Sequence, residues 1–112
     1  MVKKSVFLNT FGDTPVLRIL DFLIVNEDFD YSMTDIAKFS GIGYSTLKLL
    51  WGKLETKNLI VQTRVVGKAK MFKLNYSNPI VKDFRTFYWQ VTKNIVQEIV
   101  VEKVSKKSSN KN

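Results

Sequence analysis

The sequence predicts a mostly helical α+β fold that ends in a long helix, and three observations carry that reading. Two helix-like segments flank a Gly41-Ile42-Gly43 turn. Two strand-like runs, Leu59 to Val65 and Ala69 to Asn75, follow directly and are joined through Val66-Gly67-Lys68. From Pro79 onward, apolar residues recur at steps of three and four over about 25 residues, a run of roughly 37 Å as a helix.

Each element has its own local signal. Residues 1–12 carry Val6, Phe7, Leu8 and Phe11 but no clear periodicity, and they read as an N-terminal arm that packs on the body or on a partner. Asp13-Thr14-Pro15 is a helix start, where Asp13 or Thr14 can accept from the first free N–H groups and Pro suits the first turn. The helix that follows, to about Val25, is apolar on more than one face and belongs at the centre of the core. Asn26 to Asp30 is acidic and ends it. Asp30-Tyr31-Ser32 reads as a very short strand, and Ser32 then caps a short helix from Met33 to Ser40, with Asp35 in the capping-box position. After the glycine turn, Tyr44 to Lys57 places Leu47, Leu50, Trp51 and Leu54 on one helical face. Asn58 is suited to a left-handed termination. Gly67 supplies the positive φ of a tight hairpin turn. Ser77-Asn78-Pro79 opens the last helix, whose seam is Val81, Phe84, Tyr88, Val91, Ile95 and Ile99, ending near Lys103. The stretch 105–112 has no apolar residue and reads as a disordered basic tail.

At this point the chain resembles the winged helix-turn-helix family. The resemblance rests on Asp30-Tyr31-Ser32-Met33-Thr34-Asp35-Ile36-Ala37, on Gly41-Ile42-Gly43-Tyr44-Ser45-Thr46-Leu47 and on Leu54-Glu55-Thr56-Lys57-Asn58-Leu59-Ile60, and it covers about residues 13–77. It is similar to small archaeal transcriptional regulators related to the MarR and ArsR groups. The resemblance implies a winged helix-turn-helix DNA-binding domain over 13–77; residues 78–104, beyond it, read from their own apolar seam as a dimerisation helix. The resemblance also implies that the helix from Tyr44 enters a DNA major groove while the hairpin touches backbone or minor groove.

Composition and charge narrow the function independently. The 112 residues fit one domain, and at 45% hydrophobic they can bury a core. The formal charge is +8, from 18 Lys and Arg against 10 Asp and Glu, which favours a polyanionic partner. The charge is also segregated. Residues 44–75 hold seven bases against Glu55, a net +6, whereas residues 13–35 hold six acids against Arg18, a net −5. Neither His nor Cys is present, so the commonest general base, the commonest metal ligand, thiolate chemistry and disulfides are all removed. The expectation is a non-enzyme with no cofactor and no metal. The longest apolar stretch is interrupted by Arg18 and Asp21 and falls short of the ~20 residues that span a bilayer. The expected setting is the cytoplasm, with no membrane partner.

Duplex DNA is therefore the expected partner. Tyr44, Ser45 and Thr46 sit where open helix N–H groups favour a phosphate. Lys48 lies one turn further, within reach of a phosphate or a guanine edge, and Lys53 follows on the same helix. Arg64, Lys68 and Lys70 supply the wing with phosphate contacts. The helix lacks Arg, Asn and Gln, the usual base readers, which points to weak sequence specificity. Leu49 either touches a thymine methyl or packs inside. Gly52 either admits a close neighbour or is an ordinary helix glycine. Phe84, Tyr88, Val91, Ile95 and Ile99 are the expected homodimer seam. The first half of the helix is also expected to complete the chain's own core, and the Val91 to Val104 half is better suited to a partner helix. A dimer would set two recognition helices on one face of the duplex. A small-molecule effector is not indicated. The rival readings are a non-specific architectural or plasmid-partition DNA protein and a winged-helix protein-interaction module.

Overall fold

The computed structural model describes residues 4–109, with side chains through residue 104. The elements are α1 (Val6–Phe11), α2 (Pro15–Val25), β1 (Tyr31–Ser32), α3 (Met33–Ser40), α4 (Tyr44–Thr56), β2 (Ile60–Val66), β3 (Ala69–Leu74) and α5 (Pro79–Ser109). The strands form one antiparallel sheet in the order β1-β3-β2.

The local signals account for most of the boundaries. Thr14 is the cap of α2, its hydroxyl accepting from the Leu17 N–H, while Asp13 turns to the Arg18 guanidinium instead. Ser32 caps α3 by accepting from the Asp35 N–H at 3.2 Å. The turn between α3 and α4 needs Gly41 at φ 71°, a left-handed conformation that side chains with a Cβ rarely adopt. Asn58 ends α4 at φ 56°. Its carbonyl, and that of Lys57, accept from the Asn78 side-chain amide at 3.0 and 3.1 Å. Asn78 Oδ1 in turn accepts from the Ile80 N–H. One asparagine thus caps the start of α5 and fastens it to the end of α4, which satisfies groups that both helix termini leave open.

The core is a single cluster. Ile19, Leu23 and Ile24 from α2 meet Ile36 and Ala37 from α3, Leu47, Trp51 and Leu54 from α4, Phe72 and Leu74 from β3, and Val81 and Tyr88 from α5. Trp51 meets Phe72 edge to face, with ring centroids 5.0 Å apart, and this contact seats the sheet on α4.

Two segments depart from the sequence reading. The N-terminal arm contains a helix, α1, capped by Ser5 and buried through Phe7 and Leu8. Phe7 stacks on Tyr88 at 4.9 Å and meets Phe84 and Phe87 edge to face. Six residues are too few to show a helical period, so only this aromatic docking identifies the element. At the other end, α5 continues to Ser109, beyond Lys103. Residues 105–109 of the expected disordered tail therefore belong to the helix. No Gly or Pro stops the helix there, so it propagates past its last apolar residue. Residues 110–112 lie outside the described residues, as do 1–3 of the arm.

Candidate nucleic-acid interface

The interface is built on α4. Its cap is Gly43, which makes no side-chain hydrogen bond to the helix, so the open N–H groups of the first turn keep their positive end bare of any capping oxygen. Tyr44 and Ser45 are exposed there and Thr46 is half-buried. The period of the helix sorts the remaining residues into three rows. Leu47, Trp51 and Leu54 are buried against the body. Tyr44, Trp51 and Glu55 also line the side facing the wing, with Lys48 in the same row by spacing. Ser45, Leu49, Gly52, Lys53 and Thr56 point outward and are exposed. Leu49, at 81% exposure, stands at the middle of that outer row.

The wing rises beside α4 as β2 and β3. Gly67 at φ 61° makes the two-residue turn with Lys68 that this glycine-first arrangement permits. Every residue from Val61 to Lys70 is exposed. Between α4, the start of α3 and the wing runs a groove of about 370 Å³, lined by Thr34, Tyr44, Trp51, Gln62, Lys68 and Lys70 among others. Lys48 Nζ lies 5.7 Å from the centroid of the Tyr44 ring, a cation–π placement that orients the ammonium without neutralising it. Thr34 and Gln62 were not foreseen. Gln62 was hidden because its facing depends on an irregularity in β2.

That irregularity also corrects the expectation for Arg64. Gln62 pairs with Phe72, but Arg64 pairs with Met71, so Thr63 is an extra residue that shifts the phase of β2. Gln62 shares the α4-facing side with Phe72, and Arg64 shares the opposite side with Met71. There its guanidinium donates twice to Asp30, at 2.9 and 3.1 Å, and the Thr63 hydroxyl donates to the same carboxylate at 2.5 Å. Arg64 is thus a clamp that fixes the wing to the residue before β1, not a free phosphate contact. The Arg64 guanidinium holds the Asp30 carboxyl down at about 2.

The acid-rich side repeats this pattern. Asp13 takes the Arg18 fork and Lys4, and is held at about 2 chiefly by Arg18. Arg18 also donates to the Gly41 carbonyl at 2.8 Å, tying α2 to the turn before α4. Glu27 accepts from Arg85 at 2.6 Å and from the Tyr76 hydroxyl at 2.7 Å. Asp21 accepts from Ser5 at 2.7 Å and Tyr88 at 2.6 Å, joining α1, α2 and α5. Burial, with the Asp21 carboxylate second, pushes the Tyr88 phenol above its ordinary value. Among the described residues, no lysine of α4 or the wing takes part in an ion pair. Lys48, Lys53, Lys68 and Lys70 therefore present full charge on exposed surface.

The expected seam on α5 divides in two. Tyr88 is 2% exposed and Phe84 packs beside it, so both serve the chain's own core. Tyr88 is not a surface for a second molecule. Val91 and Ile95 are half-buried, and Ile99 is 44% exposed, with Val96, Val100, Val101 and Val104 also exposed. No described helix is long and apolar enough to cross a membrane, and the described residues hold no cluster of three potential metal ligands.

No protein-family model matches the sequence and no curated protein matches it. Solved structures do match the fold. MepR, a transcription regulator of the Staphylococcus aureus multidrug efflux pump MepA, is 22% identical, with 82% of this chain and 69% of MepR covered at a TM-score of 0.57. A double mutant of ZitR of Lactococcus lactis in apo form is 14% identical over 95% of this chain and 90% of its own, with a TM-score of 0.57. Mb0332 from Mycobacterium bovis, a homodimeric winged helix-turn-helix DNA-binding domain and possible ArsR-family regulator, is 18% identical over 75% and 72%, with a TM-score of 0.55. With the α3–α4 pair, the β2–β3 wing and the long α5 in that order, the chain has the winged helix-turn-helix fold.

Proposed function

We propose that the protein is a transcriptional regulator that binds duplex DNA as a homodimer, with α4 in the major groove and the wing on the backbone. One observation carries the DNA reading. Lys68 and Lys70 line the groove beside α4, and they and the exposed Lys48 and Lys53 of α4 join no ion pair among the described residues, while the arginines are consumed by acids elsewhere. Unpaired ammonium groups along one face suit an array of phosphates. The open first turn of α4 adds N–H donors beside Tyr44, Ser45 and Thr46. The winged-helix regulators of similar fold support the regulatory role.

The dimer reading rests on the rear half of α5, where Ile99 and its neighbours Val96, Val100, Val101 and Val104 are exposed and Ile95 is only half-buried. A helix of 31 residues is about 46 Å long and outruns a body of this size. Val91, Ile95 and Ile99 keep the four-residue spacing of a helix–helix seam. Architectural binding without sequence preference is the second reading, favoured by the absence of Arg, Asn and Gln from α4.

The test is a salt-titrated gel shift with the gene's own upstream DNA against a random duplex. Preference for the upstream DNA supports regulation, equal affinity with a steep salt slope supports the architectural reading, and no shift at low salt rejects both. Sedimentation of the full chain, alone and with Ile95→Asp plus Ile99→Asp, tests the dimer. A full-length monomer at micromolar concentration refutes it.

A further inference from the structure

We infer that Leu49 reads the 5-methyl group of thymine in the major groove, with Gly52 as the notch that lets the base edge approach. This inference rests on the DNA-binding reading above. Leu49 is 81% exposed, the highest value among the exposed large apolar residues. Packing inside, the alternative open from sequence, is excluded. Its direction on α4 is opposite to Leu47, Trp51 and Leu54, so no small rotation of the helix hides it.

Gly52 follows one turn later on the same outer row. A Cβ built there meets nothing within 4 Å, and the residue is helical with no positive φ. Nothing within the chain therefore requires a glycine, although a helix-interior glycine is less stable than alanine. An apolar side chain and a missing one thus sit side by side on exposed surface, each without an intrachain reason.

Charge identifies the occupant. Lys53 shares the outer row and Lys48 flanks it, both exposed and outside the ion pairs of the described residues. A second copy of this face would set lysine against lysine. A polyanion that also offers an apolar group fits both features, and on a base-pair edge in the major groove that group is the thymine methyl. Since α4 has no Arg, Asn or Gln, this contact supplies discrimination that hydrogen-bond readers of those types do not.

The experiment compares alternating duplexes of about 30 base pairs, d(A-T), d(A-U), d(G-C) and d(G-5-methylC), by fluorescence anisotropy at low salt. The proteins are the full chain, Leu49→Ala and Gly52→Ala. The wild type is expected to bind d(A-T) about fourfold more tightly than d(A-U), the factor for one buried methyl-sized group, and to gain on d(G-5-methylC) over d(G-C). Leu49→Ala should bind d(A-T) and d(A-U) equally. Gly52→Ala should raise the melting temperature while weakening d(A-T) binding. Equal wild-type affinity within both methyl pairs overturns the inference and leaves DNA binding intact, as does a methyl effect that survives Leu49→Ala. Failure of every protein on every duplex overturns the DNA reading and this inference together.

Discussion

On the acid-rich side, Asp13 holds Arg18 and Lys4, Asp21 holds Ser5 and Tyr88, Glu27 holds Arg85 and Tyr76, and Asp30 holds Arg64 and Thr63. On the lysine-rich side, Lys48, Lys53, Lys68 and Lys70 stand around the groove and outer row of α4 with no acid partner among the described residues. The three arginines of the sequence all lie in the first set, and the second consists of lysines alone. Their chemistry explains the division. A guanidinium presents a planar fork that matches a carboxylate and fixes geometry, whereas an ammonium on a flexible stem is a point charge that stays hydrated. One side uses charge to join elements, and the other leaves charge available to a partner.

This contrast can be broken at either side. The largest expected effect is on the joined side. Tyr88→Ala removes the ring on which Phe7 stacks and a hydroxyl donor to Asp21, and should cost about 3–5 kcal/mol in urea unfolding. A loss under 1 kcal/mol would mean that α1 is not part of the cooperative core. On the free side, replacing Lys48, Lys68 and Lys70 together by alanine should weaken duplex binding about a hundredfold. It should also flatten the plot of log affinity against log salt by about 3, while the melting temperature does not fall. An unchanged slope removes these lysines from the interface. Reversing Arg64 alone, by contrast, should act through the clamp and disturb the wing rather than delete one phosphate contact.

The smallest expected effect concerns acid. Asp30 and Asp13 titrate at about 2 in the folded chain, below the ordinary carboxylate value of 3.8. A depressed folded value means that the two pairs contribute stability fully above 3.8 and lose it as pH falls through about 2. Carboxyl resonances followed by NMR should therefore show both groups still ionised at pH 3.5. Titration of Asp30 near 4 would show the Arg64 clamp open in solution. Asp30→Asn should lower the melting temperature only slightly, because Arg64 is largely exposed and its pair is screened by solvent.

Much of the scaffold was legible along the chain because its signals are local. Thr14 and Ser32 accept from N–H groups three residues ahead, Gly41 and Gly67 take conformations closed to most side chains, and Asn58 ends α4. The outward position of Leu49 was also implicit in the helical period, since it lies opposite Leu47 and Trp51. Its exposure is decided by the tertiary structure, in which no other described element covers it.

By itself, then, the sequence determined the order of the elements from α2 onward, the Gly-turned helix pair, the hairpin and the separation of acids from bases, because each depends on residues within a few positions of one another. Tertiary structure alone decided which charges remain available. Whether Arg64 meets a phosphate or an acid depends on Asp30, 34 positions away in the chain, and on a phase shift at Thr63. Whether Tyr88 faces a second molecule or its own core depends on Phe7 and Asp21, which reach it only once α1 and α2 pack on α5. Pairings of that kind follow from chain topology, and no local spacing encodes them.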